Sequence, residues 1–168
     1  PEFAVQPSGA MLEFISRLID KIKDRDRCID LAVRLDKVFF CGMNHSVRSA
    51  VKIMRENDFT HVPVLEGGRV AGVFDEYSLI RCLTDSDGHS IGSELRFNKI
   101  RQQIDITDKI GKGYVFVPSA MYAEELREKI DLAYSEGRRI KMAFVTQNGS
   151  KDELLLGIIT PWDLISGG

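Results

Sequence analysis

One pattern occurs twice in this chain. Gly72-Val73-Phe74-Asp75-Glu76-Tyr77-Ser78-Leu79-Ile80 and Gly157-Ile158-Ile159-Thr160-Pro161-Trp162-Asp163-Leu164-Ile165 share one layout, offset by 85 residues (72 to 157). In each, a strand-like apolar run meets a helix-capping residue and passes into a short apolar-periodic helix. A duplicated unit of this size constrains the fold more than composition does. Each copy leaves one face of a small sheet uncovered, so the copies must cover each other.

The elements ahead of each copy repeat as well. The first has a strand at Val38–Cys41 and a helix capped by Ser46, with apolar residues Val47, Ala50, Val51 and Met54 at i, i+3, i+4 and i+7. A strand at His61–Leu65, a turn at Glu66-Gly67-Gly68, a strand at Val70–Phe74 and a helix at Glu76–Leu83 follow. The second has a strand at Tyr114–Val117 and a helix from near Ser119 carrying Ala123, Leu126, Ile130 and Tyr134. It continues with a strand at Lys141–Thr146, a hairpin turn at Gln147–Asp152 around Asn148-Gly149, a strand at Leu154–Ile159 and a helix from Pro161. The expected class is α/β (α+β): two β-α-β-β-α repeats packed sheet to sheet as one module, preceded by an N-terminal helix.

The expected boundaries are 38–84 for the first repeat, 85–113 for a helical linker and 114–168 for the second repeat. The linker opens with a turn at Asp85-Ser86-Asp87-Gly88 and carries Leu95, Phe97, Ile100 and Ile104. Residues 1–10 lack an initiator Met and read as an expression remnant ahead of a natural start at Met11. Residues 11–37 form a helical segment, with Met11, Leu12, Ile15, Leu18, Ile19 and Ile22 on one stripe. Ile29–Leu35 adds another helical turn or two, after an alternating charge run at Lys23–Arg27.

Bulk properties exclude several classes. The net charge of −2 gives no electrostatic case for nucleic acid or an anionic membrane. No apolar run approaches the roughly 18 residues of a membrane span. Cys28, Cys41 and Cys82 are odd in number and scattered, as free thiols of a reducing cytoplasm are. The histidines, His45, His61 and His89, show no ligand spacing with them, so no metal site is expected. No Ser/His/Asp, Cys/His or metal constellation is visible to carry catalysis, and the expectation is that the chain is not an enzyme.

The chemistry that remains sits in the second copy's turn. Thr160 is a good N-cap, Pro161 suits the first helical position, and Asp163 falls three residues after the cap. Backbone N–H groups at such a turn suit a phosphate, with the Thr160 hydroxyl beside it and the Asp163 carboxylate placed for a ribose diol. The same residues also make an ordinary helix cap, and the turn alone does not separate the two readings.

These residues resemble a tandem pair of CBS domains, the cystathionine-beta-synthase-type repeats of a Bateman module. The resemblance covers Val38–Leu83 and Tyr114–Ser166. It rests on the strand-helix opening, the His61-Val62-Pro63-Val64 strand, and the Gly-hydrophobic-x-Ser/Thr-x-x-Asp signature that Gly157–Asp163 matches in full. It implies a regulatory module that binds an adenine nucleotide (AMP, ADP or ATP) between the repeats, associates as a homodimer and passes a conformational change to a regulated protein partner. By resemblance, Thr160 contacts phosphate or ribose and Asp163 holds the ribose, with Pro161 and Trp162 in the same turn. Phe116, Val117, Pro118, Met142 and Ala143 would form the base pocket. These apolar residues read equally well as plain core. Ala143 stands where the first repeat has Pro63.

The first repeat departs further, with Asp75 at the Thr position and Ser78 at the Asp position. A carboxylate ~4 Å from a phosphate oxygen costs on the order of 4 kcal/mol at an effective dielectric near 20. A degenerate first site built from Asp75, Ser78, Cys41, His61, Val62 and Pro63 is therefore expected to be empty, to take an uncharged or cationic group, or to need a metal ion. Arg138, Arg139 and Lys141 read either as favourable charge at a helix C-terminus or as a phosphate clamp. The rival readings are an interaction module without ligand and a module for another adenosyl ligand such as S-adenosylmethionine. Dimerisation is expected through helical faces such as Val47/Val51/Met54, and residues 11–23 are the candidate output element.

Overall fold

The computed structural model describes residues 8–23, 25–84 and 94–166. The turn expected at 85–88 and the first residues of the linker lie outside them. The N-terminal part comprises α1 (Gly9–Lys23), α2 (Cys28–Leu31) and β1 (Val33–Arg34). The first repeat is β2 (Cys41–Gly42), α3 (Val47–Glu56), β3 (His61–Glu66), β4 (Arg69–Asp75) and α4 (Glu76–Thr84). The linker holds α5 (Arg101–Ile104) between 3₁₀ turns at Phe97–Ile100 and Thr107–Lys109. The second repeat is β5 (Tyr114–Pro118), α6 (Ala123–Ser135), β6 (Met142–Thr146), β7 (Gly157–Ile159) and α7 (Pro161–Ser166).

Both repeats thus have the expected β-α-β-β-α order. Each builds a small mixed sheet: β2-β3-β4 in the first, and β5-β6-β7 extended by β1 in the second. Strand alternation splits each sheet between two cores. In β3, Val62 and Val64 face α3 and the linker, where they pack with Val47, Ala50, Phe97, Ile100 and Ile104. In β6, Ala143 and Val145 face α2, α6 and α7, with Cys28, Leu126 and Leu164. The opposite faces meet in a third core of Leu65, Val70, Val73, Tyr114, Met142, Phe144 and Leu155, which joins the repeats. Fully burying a Val or Leu side chain contributes roughly 1.5–3 kcal/mol, so this shared core is what makes the repeats one module.

An exchange of segments reinforces the union. β1, ahead of the first repeat, pairs antiparallel with β7 of the second, Val33 opposite Ile158 and Arg34 opposite Gly157. The linker ahead of the second repeat returns to the first, where Asp105 bridges Gly72. The signature glycine is the contact point in both. A Cβ on Gly72 would stand 2.4 Å from the Ile104 carbonyl oxygen, and one on Gly157 would stand 2.7 Å from that of Val33. Glycine is required at these positions by the close approach of a second backbone.

Several expected elements shift for identifiable reasons. Ile29–Leu35 is a helix only to Leu31 and then becomes β1, because β7 offers an open edge. Val38–Phe40 forms no strand; only Cys41–Gly42 pairs with β3. α6 starts at Ala123 rather than near Ser119, since the Ser119 and Met121 carbonyls accept from Ile29 N–H (3.3 Å) and Cys28 N–H (2.8 Å). In the last turn of that helix Ala133, not Tyr134, is buried. Leu154–Leu156 is not strand either. Leu155 N–H turns to the Gly68 carbonyl (2.9 Å) and Arg69 Nε donates to the Asp152 carbonyl (2.7 Å), tying the second hairpin to the first. The turn before it is held by Glu153, whose carboxylate accepts from Asn148 N–H (2.7 Å) and Asn148 Nδ2 (2.6 Å). Those bonds hold its pKa down at about 2.

Candidate functional site

The two signature turns use one hydrogen-bond pair with its roles exchanged. In the second repeat Thr160 is the donor: its N–H (2.6 Å) and its hydroxyl (2.8 Å) both reach Asp163 Oδ2. In the first repeat the cap itself is the acceptor, Asp75 Oδ1 taking Ser78 N–H (2.8 Å) and Ser78 Oγ (2.7 Å). Both arrangements satisfy the first turn of a short helix. What surrounds them differs.

The Thr160 turn lies on the rim of a cleft of about 480 Å³ between the repeats. That volume falls in the ~300–1,000 Å³ range of small-molecule sites. Val33, Val38, Phe39 and Phe59 form an apolar flank, with Phe39 and Phe59 stacked at 6.1 Å. Pro63 and Met142 come from the second strand of each repeat, and Ile158 from β7. Thr160, Pro161 and Trp162 contribute from the signature turn, and Lys37, Lys141, His61 and Asp58 supply polar groups. Burial, then the neighbouring Lys141, pushes the His61 imidazole below its usual pKa, so it is neutral at pH 7. Lys37 and Lys141 are therefore the positive charges facing the cleft.

The α7 turn contributes less to anion binding than its sequence suggests. Pro161 has no N–H, Thr160 N–H is already donated to Asp163, and a helix of only six residues has a weak macrodipole. Its C-terminal end is held by Arg127, whose Nη2 donates to the Leu164 carbonyl at 2.6 Å.

The sequence-derived site residues divide into three groups. Thr160, Pro161, Trp162, Met142, His61 and Pro63 converge on the cleft from both repeats. Asp163 stands behind Thr160, bonded to it. Phe116, Val117, Pro118 and Ala143 do not line the cleft; Val117 and Ala143 belong to the helix-side core, and Phe116 packs on Phe144 at 5.2 Å. Pro118 lies against the Asn148-Gly149 turn. Cys41 and Val62 are likewise in the first repeat's core. Sequence reasoning missed Val33, Lys37, Val38, Phe39 and Phe59. For Lys37, Val38 and Phe39 the signal was an apolar run with a flanking lysine that never becomes a strand; Val33 in β1 and Phe59 after α3 carry no such signal.

Around Asp75 the chain fills its own space. The carboxylate is buried and takes the Tyr114 hydroxyl at 3.2 Å as well as Ser78, with Lys109 Nζ at 3.9 Å and Lys141 Nζ at 4.0 Å. Burial pushes its pKa up, but the Ser78 bonds and the two lysines outweigh that and hold it below the usual value. Ser78 Oγ also lies 3.1 Å from the Gln103 carbonyl and 3.4 Å from Lys109 Nζ. The protein's own lysines thus supply positive charge around this turn. Arg138 is committed elsewhere, to the Gly111 carbonyl and Glu136. Of the three basic residues 138, 139 and 141, Lys141 is the one that lines the cleft.

No group of three or more His, Cys, Asp or Glu side chains among the described residues could hold a metal ion. None of their helices is long and apolar enough to cross a membrane. Cys28 and Cys41 are buried, which pushes each thiol up to about 11 and away from nucleophilic use.

Comparison with known proteins agrees with the architecture. The family model for the CBS domain matches residues 30–85. No curated protein sequence matches the chain. Among solved structures, CbpB in complex with c-di-AMP aligns over 90% of this chain and 91% of its own, with a TM-score of 0.59 and 14% identity. A hemolysin-like protein containing a CBS domain, from Oenococcus oeni PSU, aligns over 91% and 96%, with a TM-score of 0.55 and 17% identity. A Methanocaldococcus jannaschii protein proposed as an archaeal homologue of the AMPK γ subunit aligns over 92% of this chain and 52% of its own, with a TM-score of 0.58 and 18% identity. Residues 30–85 are a CBS domain, and the chain as a whole has the fold of a tandem CBS pair.

Proposed function

We propose that this protein is a cytoplasmic regulatory module, without catalytic activity of its own, that binds one adenine nucleotide in the cleft beside Thr160. The observation that carries the reading is the cleft itself. It joins an apolar flank, a threonine held from behind by Asp163 and two lysines, contributed by both repeats and the segment ahead of them. The base would lie between Val38/Phe39 and Met142/Ile158, and the phosphate would face Lys37 and Lys141. Asp163 already uses Oδ2 for Thr160, so a ribose hydroxyl would take Oδ1. Two lysines favour an anionic ligand, AMP, ADP or ATP, over the sulfonium of S-adenosylmethionine. A ligand touching both repeats shifts their relative packing only if it binds one arrangement better than the other.

The output surfaces are those the fold leaves uncovered. On α1, Met11, Leu12, Ile15, Leu18 and Ile19 of the apolar stripe are exposed, and so is Phe14. Tyr77, Ile80 and Leu83 on α4 and Leu132 on α6 are exposed too. On the face expected to dimerise, Val47 is buried, while Val51 and Met54 are only half-buried against the chain's own sheet. A homodimer or a regulated partner would therefore use α1, α4 and α6.

Titration calorimetry with AMP, ADP, ATP and S-adenosylmethionine tests the reading. It expects one nucleotide per chain and much weaker binding of S-adenosylmethionine. Absence of binding by all four would leave an interaction module.

A further inference from the structure

We propose that Lys141 is shared between the nucleotide cleft and Asp75, so that an anion in the cleft gains Lys141 at the expense of the Lys141–Asp75 pair. Asp75, which lies outside the cleft lining, would then set how tightly the cleft holds its ligand. This rests on the nucleotide reading for the identity of the ligand but not for the coupling itself.

The two partners of the pair differ in freedom. Asp75 is nearly inaccessible and is fixed by Ser78 N–H, Ser78 Oγ and the Tyr114 hydroxyl. Lys141 has a half-exposed side chain on a four-carbon stem, at the coil entering β6. It borders two hollows at once: the main cleft, and a smaller one of about 270 Å³ that contains Asp75, Glu76 and Tyr77. The ammonium can therefore turn from one to the other while the carboxylate stays.

Asp75 tolerates the loss. Lys109 Nζ remains 3.9 Å away, with a side chain only 22% exposed, and the Tyr114 hydroxyl still donates. A buried carboxylate with no remaining cation would resist the exchange; one with a second, less mobile lysine permits it. The first-repeat turn is then a resting partner for the second-repeat site. The turn's departure from the family signature becomes a means of tuning affinity.

The test compares wild type, Asp75→Asn, Lys141→Met and the double variant by calorimetry. AMP is one probe and inorganic phosphate the other. Asparagine keeps Oδ1 as the acceptor for Ser78 and turns an amide N–H toward the Tyr114 oxygen, while removing the charge that competes for Lys141. Asp75→Asn should bind AMP roughly three- to tenfold more tightly, and this gain should fall below about twofold when Lys141→Met is also present. His61, which faces Lys141, Lys109, Asp75 and Glu76, verifies the variant without ligand: its NMR titration midpoint should drop further in Asp75→Asn. If AMP fails to bind wild type while phosphate binds Asp75→Asn more tightly, the nucleotide reading fails and the coupling stands. If Asp75→Asn binds both probes no better than wild type, or gains as much without Lys141, the coupling is overturned.

Discussion

The two signature turns start their helices with the same hydrogen bonds and serve different ends. At 160–163 the carboxylate is partly exposed behind a threonine on the rim of a cleft. At 75–78 it is buried where the repeats meet, ringed by Tyr114, Lys109 and Lys141. Exchanging donor and acceptor across three residues leaves the local fold intact but moves the charge from the third helical residue to the cap. Helix capping is thus satisfied in both, and only the surroundings separate the turn proposed to bind from the one that joins the repeats.

The largest expected effect is at the turn that joins the repeats. Asp75→Ala leaves the Tyr114 hydroxyl and two lysines without their acceptor and should cost about 3–5 kcal/mol of stability, as for a broken buried ion pair. Thermal unfolding would show this as a large fall in Tm, and a fall comparable with that of Asp163→Ala would erase the distinction between the turns.

Gly72→Ala and Gly157→Ala come next. Each places a methyl group against a foreign carbonyl, at 2.4 and 2.7 Å respectively, and overpacking of this kind costs about 1–3 kcal/mol. The first should cost more than the second. Chemical denaturation measures both, and a neutral Gly72→Ala would mean the linker does not press on the first sheet as described.

That close approach also marks where sequence reading stops. The repeat order, the Ser46 cap, the Gly67-Gly68 turn and the buried strands β3, β4, β5 and β6 follow from local pattern, because alternation and turn chemistry are local. Val33–Arg34 was read as helix because its strand character comes from β7, about 125 residues away (33 to 158). Tyr114 was read only as the start of a strand. Nothing near it in sequence indicates that its hydroxyl completes the shell of Asp75. Of the residues that line the cleft, the resemblance assigns Thr160, Pro161, Trp162 and Met142 to a nucleotide site, but it places His61 and Pro63 in the degenerate first site. Val38–Phe39 was not legible as lining, since an apolar run that lines a cleft looks like a strand. The resemblance assigns Phe116, Val117, Pro118 and Ala143 to a base pocket with Met142, yet pleat direction sends Val117 and Ala143 to the opposite face.

A smaller effect separates the turns by pH. His61 has a depressed pKa in the folded state, so the unfolded chain binds its proton first as pH falls from about 6.5, and stability drops in that window. Asp75 is also depressed, and its contribution, present above the unfolded value of 3.8, is lost only as pH falls below that. Acid unfolding should therefore weaken the protein in two stages. His61→Gln should remove the upper stage alone, as followed by urea midpoints between pH 7 and pH 3.

The most direct measurement sets Asp163→Ala beside Asp75→Asn, each assayed for AMP affinity by calorimetry, with Trp162 fluorescence as a second reporter, and for unfolding midpoint. Asp163→Ala should weaken AMP binding by about 1.5–3 kcal/mol, or roughly ten- to a hundredfold, while lowering stability by only about 1 kcal/mol. Asp75→Asn should lower stability more and tighten AMP binding roughly three- to tenfold. AMP affinity unchanged in Asp163→Ala, with stability loss as its only consequence, would reduce the Thr160–Asp163 turn to a helix start and contradict the assignment of the nucleotide to this cleft.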